Sequence, residues 1–432
     1  MKQIINKINP FRTLIVLTIS VFFICIAIGF WTFISQRIHG KKKDARIALP
    51  VYSAKEFIEH QYYFLRVKRP GDVIPNNEIG EHFPSTLLMP TRNAWTLNWT
   101  LIPEIAATSK NLSSPAQLYF SNSPELIYAD TLPQGKGMFC EGKIKKGRIR
   151  LFISHINTTN RPKNLFVALK NQGKRTALIR VVKKSEVKAD GKEAIVTGIM
   201  ALQAFENCRC GDISSLKPQA VHLFETNNGF LGDAVAIYEI VTSEPLKIST
   251  VITEQNIKLN EKLLSNILYL RPQPNLVRGI FTKPDCVIKA VYDMSSGKIK
   301  RLTFGGGHVS AGKKKWSGCS WLKGYDETFS AEKPLEVENK GNYGAYYHLS
   351  LSIKNTAVSK FKRLVLLLYA AGGEAAILLD GRPITINKRS EVIIFNREVK
   401  KNSLFRFSYS YTANSSAPVH LIAIPLAAPF RE

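Results

Sequence analysis

Two stretches decide the fold: NTTNRPKNLFVALKNQGKRTALI at 157–179 and NTAVSKFKRLVLLLYAAGGEAAIL at 355–378. With one residue inserted, Leu165, Leu169, Gly173 and Ala177 fall on Leu364, Leu368, Gly372 and Ala376, an offset of 199 positions. Each copy follows an alternating segment, RIRLFISHI at 148–156 and AYYHLSLSI at 345–353. Alternation of apolar and polar residues is the signature of a half-buried strand, and recurrence of strands at matching places implies a repeated β unit. The bland alternative is that any two β-hairpins look this similar.

Working outward, further strands are expected at NLFVALK (164–170), ALIRVVKK (177–184), AVAIYEIV (234–241), LKISTVI (246–252), CVIKAVYD (286–293) and KIKRLTF (298–304). The last two read as a hairpin closed over Ser295–Gly297. Strands continue through 345–426, with Asp380-Gly381 a tight-turn signal. Helical spacing is confined to Lys192–Asn207 and Glu254–Tyr269, so less than a fifth of the folded part should be helical. The expected class is mainly β, two tandem antiparallel β-sandwich-like domains at 115–270 and 271–432 with few helices.

The chain of 432 residues is too long for one ordinary core, and 45% hydrophobic residues exclude global disorder. Residues 14–35, LIVLTISVFFICIAIGFWTFIS, carry no charge over 22 positions, about 33 Å as a helix, which matches a bilayer core. Phe30, Trp31 and Phe33 stand where a signal-peptidase site needs small residues, so an uncleaved transmembrane anchor is expected, with 1–13 as a cytoplasmic tail. Residues 36–114, rich in proline, read as a basic spacer with a short helix near Ala54–Leu65. The charges flanking the apolar run favour a cytoplasmic C-terminal region by the positive-inside rule. Long domains cross largely regardless of charge, and an extracytoplasmic region is the expectation.

The formal charge is +27, of which residues 1–46 hold +7, leaving +20 on 47–432. Such a balance points to an anionic partner. The basic clusters are Lys143, Lys145, Lys146, Arg148 and Arg150; Lys298, Lys300 and Arg301; Lys313, Lys314 and Lys315; and Lys360, Lys362 and Arg363. Of these, Lys143, Lys145, Lys146, Arg148, Lys298, Lys300, Arg301, Lys313, Lys314 and Lys315 are the candidate polyanion-binding residues, on exposed strand faces and loops. A solvated surface without a specific ligand is the bland alternative.

Other motifs carry less chemistry. GHVSAGKK (307–314) has the glycine and lysine spacing of a phosphate-cradling loop, but Lys314 stands where a magnesium-binding Ser or Thr belongs and no helix follows. Cys208-Arg-Cys210 lacks the paired knuckles of a zinc site, and the five cysteines after Cys25 leave at least one thiol unpaired. His155, His348 and His420 read as structural histidines. No nucleophile elbow or metalloprotease motif is present, so no catalytic residue, metal or cofactor is assigned.

At GNYGAYYHLSLSIKN (341–355), RLVLLLYAAGGEAAILLDG (363–381) and LVRGIFTKPDCVIKAVYD (276–293) the chain resembles membrane-anchored cell-envelope proteins of Gram-positive-type bacteria. The resemblance spans about 115–432 and implies tandem β-sandwich units; where those relatives favour Asn and Pro before the paired glycines, this chain has Ala370 and Ala371. The expected function is a membrane-anchored envelope structural or binding protein that associates with anionic wall polymer or acidic lipid. The alternatives are an envelope enzyme acting on wall polymer and a cytoplasm-facing nucleic-acid binder.

Overall fold

A computed structural model describes strands 88–90 and 95–97 and residues 101–427, apart from 190–193, 275, 305–321, 329–332, 340, 357, 372, 388–390, 400, 413–414 and 416–417. The expected anchor, the helix at 54–65 and the GHVSAGKK loop lie outside the described residues. Among the described residues no helix is long and apolar enough to cross a membrane.

The chain is mainly β. Its strands are β1 (Leu88–Pro90), β2 (Trp95–Leu97), β3 (Ala106–Asn111), β4 (Gln117–Ser121), β5 (Leu126–Ile127), β6 (Lys136–Ile144), β7 (Gly147–Asn157), β8 (Lys163–Asn171), β9 (Ala177–Ala189), β10 (Ile213–Leu216), β11 (Val221–Phe230), β12 (Gly232–Thr242) and β13 (Leu246–Glu254). They continue with β14 (Arg278–Thr282), β15 (Cys286–Asp293), β16 (Lys300–Phe304), β17 (Leu322–Asp326), β18 (Leu335–Asn339), β19 (Tyr346–Lys354), β20 (Arg363–Ala370), β21 (Ala375–Leu379), β22 (Arg382–Ile386), β23 (Glu391–Glu398), β24 (Ser403–Tyr411) and β25 (Val419–Leu426). Among the described residues the α-helices are α1 (Ala194–Asn207) and α2 (Glu261–Leu264).

Strand order repeats. One four-stranded sheet runs β11-β8-β13-β6 and faces β10-β9-β12-β7. Numbered along the chain from β6 to β13, these are orders 6-3-8-1 and 5-4-7-2, the two Greek keys of a jelly roll. In the second half β16-β25-β20-β23 faces β22-β21-β24-β19, and with β16 as first strand and β17 and β18, which belong to the other sheet, left out of the count, the orders are 1-8-3-6 and 5-4-7-2. Leu165 and Leu169 lie on β8, and Leu364 and Leu368 on β20, each the third strand of its set.

Alternation explains the inner faces. Ile149, Leu151 and Ile153 of β7 meet Leu165, Val167 and Leu169 of β8 in one buried cluster with residues of β6, β9, β12 and β13. Across the second pair of sheets, Phe304 of β16 stacks on Tyr409 of β24 at 4.1 Å between ring centres. The intervening residues of β7 are buried as well. On that outer face Arg150 meets the 285–346 segment, and α1 packs over β9 and β12 and also reaches β21.

Hydrogen bonding crosses residue 271. β4 pairs in parallel with β7 and antiparallel with β14, so β14, β17 and β18 extend the sheet of the first half. Conversely β3, from the expected spacer, pairs with β15, which runs parallel to β19 in the second half. Ile102 and Ile105 are buried, which makes residues 101–111 part of the folded body. Gly279 permits this crossover. At φ +134° a Cβ would lie 2.4 Å from the Tyr325 carbonyl oxygen, and no side chain fits there.

Two expectations are corrected. β15 and β16 do not form a hairpin: they belong to different sheets, and 294–296 is a single 3-10 turn closed by Gly297 at φ +67°. Of the expected helix at 254–269 only Glu261–Leu264 is helical, with the Asn260 side chain accepting from the Leu263 N–H. The apolar spacing there serves a strap over the outer sheet face, where Leu259, Leu264 and Ile267 cover Met138, Phe166 and Val251. Backbone bonds from the Met138 N–H to Leu268 O and from the Leu270 N–H to Met138 O fasten the strap. The α1 expectation and the Asp380-Gly381 turn, at φ +47° and +76°, agree with the structure.

Candidate functional site

In the first sandwich the turns β6–β7, β8–β9, β10–β11 and β12–β13 gather at one end. The Asn171 N–H donates to Ala220 O, Gln219 N–H to Asn171 O and Gln172 N–H to Pro245 O, which ties three of them together. The Asn171 side chain adds bonds to Arg175 O and Leu216 O and accepts from the Gly173 N–H. This end is a bonded rim, so the charges it carries are held in fixed register.

Those charges are cations. Lys143 of β6 stands directly opposite Lys247 of β13, and Lys247 directly opposite Lys170 of β8, one residue from the strand ends. The neighbours Ile144, Leu246 and Leu169 point into the core, so the three lysines share the outer face. Directly opposed residues have Cβ atoms about 5 Å apart, and like charges so placed are destabilising. Glu141 neutralises Lys247 at 2.6 Å, whereas Lys143 and Lys170 have no ion-pair partner among the described residues. Lys145 and Lys146 on the β6–β7 turn, Lys174 and Arg175 on the β8–β9 turn and Lys217 before β11 are exposed around the same rim. The opposing acids include Glu141, Glu244, which packs against Gly173, and Glu327, whose carboxylate accepts from the Lys143 backbone N–H at 2.9 Å.

The other expected residues divide. Arg148 is exposed at the rim, but its guanidinium is paired with Glu239. Arg150 is buried: it forms a two-pronged pair with Asp285 at 2.7 and 2.9 Å, donates to Gly344 O and lies over the Tyr346 ring. Arg301 is also buried, donating to Ile102 O and pairing with Glu104, so it serves the seam with the 101–105 segment and offers no exposed charge. Both arginines sit where a second layer covers a face that alternation alone marks as exposed. Lys298 is exposed and Lys300 half-buried at β16, in another sheet. Lys313, Lys314 and Lys315 lie outside the described residues. Lys170, Lys174, Arg175, Lys217 and Lys247 were missed because they are scattered in sequence; their common signal is position at strand ends flanking turns.

The interior of this sandwich is filled. His155 stacks on Phe139 at 3.6 Å between ring centres and bonds Ser121 Oγ and Pro124 O. Tyr119 bonds Cys140 O and Thr250 Oγ1, and burial pushes the Cys140 thiol up to about 12. A cleft of about 160 Å³ opens at the sheet edge, lined by Val181, Lys184, Glu186, Asp212, Ile213, Ser214, His222, Phe224 and Tyr238. Its Tyr238 hydroxyl donates to Glu186 at 2.6 Å, and burial lowers the His222 pKa. Among the described residues no group of three or more His, Cys, Asp or Glu is placed to hold a metal ion.

No family model matches the chain, and no curated protein matches it. Solved structures with some likeness include a cupin 2 conserved barrel domain protein from Leptotrichia buccalis, 9% identical, covering 75% of this chain and 90% of that one with a TM-score of 0.13. The protein Ylba from E. coli is 5% identical over 77% and 96% of the two chains, TM-score 0.14. An oxalate decarboxylase from Lactobacillus farciminis is 11% identical over 76% and 86%, TM-score 0.14.

Proposed function

We propose that this protein is a membrane-anchored cell-envelope binding protein whose folded part is two tandem β-sandwich units, and that the basic rim of the first unit binds an anionic envelope polymer. The observation that carries the reading is the cross-strand row Lys143–Lys247–Lys170. Opposed like charges, which Glu141 compensates only at Lys247, cost stability in the free protein, and a polyanion laid across the strands relieves that cost while gaining contacts to Lys143 and Lys170. The charged turns around the row widen the same surface. In this reading the segment 14–35 is the anchor and the folded part lies outside the cytoplasm.

The test uses the full chain in detergent micelles and a soluble polyglycerol phosphate as the acidic polymer. Each lysine near an anionic surface is worth about 1 kcal/mol, so Lys143→Gln, Lys170→Gln and Lys247→Gln together are expected to weaken binding roughly 100-fold. Thermal stability should change little, because relief of the opposed charges is offset by loss of the Lys247–Glu141 pair. Replacing Lys298 and Lys300 with Gln should leave binding within about twofold, since they lie outside the rim. Equal loss in both variants would reduce the rim to part of a diffuse basic surface.

A further inference from the structure

The Cys208-Arg209-Cys210 segment joins α1 to β10 beside the cleft. Its two sulfur atoms stand 2.9 Å apart, and both cysteines are free thiols, half-buried at the surface. The pair is held by backbone bonds on either side. The Cys208 N–H donates to Ala204 O in the last turn of α1, the Cys210 N–H to Val182 O on β9, and the Val181 N–H returns to Asp212 O. Arg209 folds back, its guanidinium donating to Glu206 O and Cys208 O. No other described pair of thiols is so placed, since Cys140 is enclosed in the core and Cys286 is already in a disulfide.

We infer that Cys208 and Cys210 form a thiol–disulfide exchange site that takes low-molecular-weight disulfides as its oxidising substrate. Cys208, at the helix end, attacks one sulfur of R–S–S–R as its thiolate, forming a mixed disulfide and releasing one thiolate. Cys210 then gives up its proton and attacks the Cys208 sulfur, which expels the second thiolate. One Cys208–Cys210 bond forms, one R–S–S–R bond breaks, two electrons pass to the small disulfide, and the two cysteine protons end on two R–SH molecules. A disulfide bond is about 2.05 Å long, so closure moves the sulfurs together by about 0.9 Å. Cys210 suits the second step by position: it packs against the core and its sulfur stands 2.9 Å from that of Cys208, so a mixed disulfide on Cys208 lies within its reach.

The test treats the full-length protein in detergent with oxidised glutathione, alkylates it without unfolding, and reads each cysteine peptide by mass spectrometry. The expected product carries the 208–210 segment lighter by two hydrogens and unalkylated, while Cys140 stays a thiol protected by its burial. In Cys210→Ser the reaction should stop at a glutathione adduct on Cys208, and Cys208→Ser should yield at least tenfold less adduct than Cys210→Ser. Far-ultraviolet circular dichroism checks that both variants fold, as expected at half-buried positions. Wild-type protein that keeps both thiols, or accumulates the Cys208 adduct without closing the ring, would overturn the inference. So would oxidation of Cys140 at the same rate as the pair.

Discussion

Replacing Arg278 with methionine is expected to destabilise the protein by about 3–5 kcal/mol, the usual cost of removing one partner from a buried ion pair. Arg278 is 2% exposed. Its Nε donates to Asp326 at 2.9 Å, and one terminal nitrogen reaches the carbonyls of Ser123, Leu270 and Phe139. It therefore joins the segment after β4, strand β6, the strap and β17, all around the crossover that carries β14 into the first sheet. Methionine fills the volume but leaves the Asp326 carboxylate and three carbonyls buried without that donor. Urea unfolding followed by circular dichroism gives the loss. The double variant Arg278→Met, Asp326→Leu should recover part of it, because the unpaired charge is then gone. A single-variant loss below about 1 kcal/mol would show that the buried pair does not hold the crossover.

Acid sensitivity should follow His155. Pro124 O accepts from Nδ1, so Nδ1 carries the proton and Nε2 accepts from the Ser121 hydroxyl; the ring is neutral. Burial, reinforced by the nearby Arg278 charge, lowers its pKa to about 3 from an ordinary value of 6.5. Since the folded value is depressed, the unfolded chain binds a proton first. Stability is full above pH 6.5 and is lost as pH falls toward 3, on the order of 4 kcal/mol at the end of that window. His420 is displaced in the same direction by burial. Asp233 works oppositely: burial raises its carboxyl to about 7, so its contribution is present at low pH and lost as pH rises through 7. Because Asp233 opposes the trend in wild type and variant alike, the difference is what reports His155: between pH 7 and pH 4 wild type should lose more unfolding free energy than His155→Phe, which keeps the stack on Phe139. Parallel profiles would remove His155 as the cause.

The strands were legible where alternation or β-rich apolar runs are strong. β7, β8, β9, β12 and β13 stand within a few residues of their expected bounds, since each has one face on a core that the sequence pattern records. Pairing was not legible. The partner of β15 is β19, more than fifty residues away, and nothing local in 286–304 distinguishes that from a hairpin. Arg150 and Arg301 show the same limit in the site. Their positions on alternating strands look exposed, and only the layer packed on the outer face makes them structural. Three of the eight rim cations, Lys143, Lys145 and Lys146, were legible as a run. The other five required knowing that four turns meet at one end, because strand order brings Lys170 and Lys247 beside Lys143.

Lysine footprinting of the full-length protein tests the binding reading most directly. The protein is acetylated at limiting reagent with and without polyglycerol phosphate, at low and at high salt, and modification is read residue by residue. With a screening length of about 8 Å at physiological salt, protection should be strong at low salt and fade as salt rises. The account predicts protection concentrated at Lys143, Lys170 and Lys247, with Lys145, Lys146, Lys174 and Lys217 following, and little at Lys298 and Lys300. Protection spread evenly over exposed lysines, or none at the cross-strand row, would contradict it.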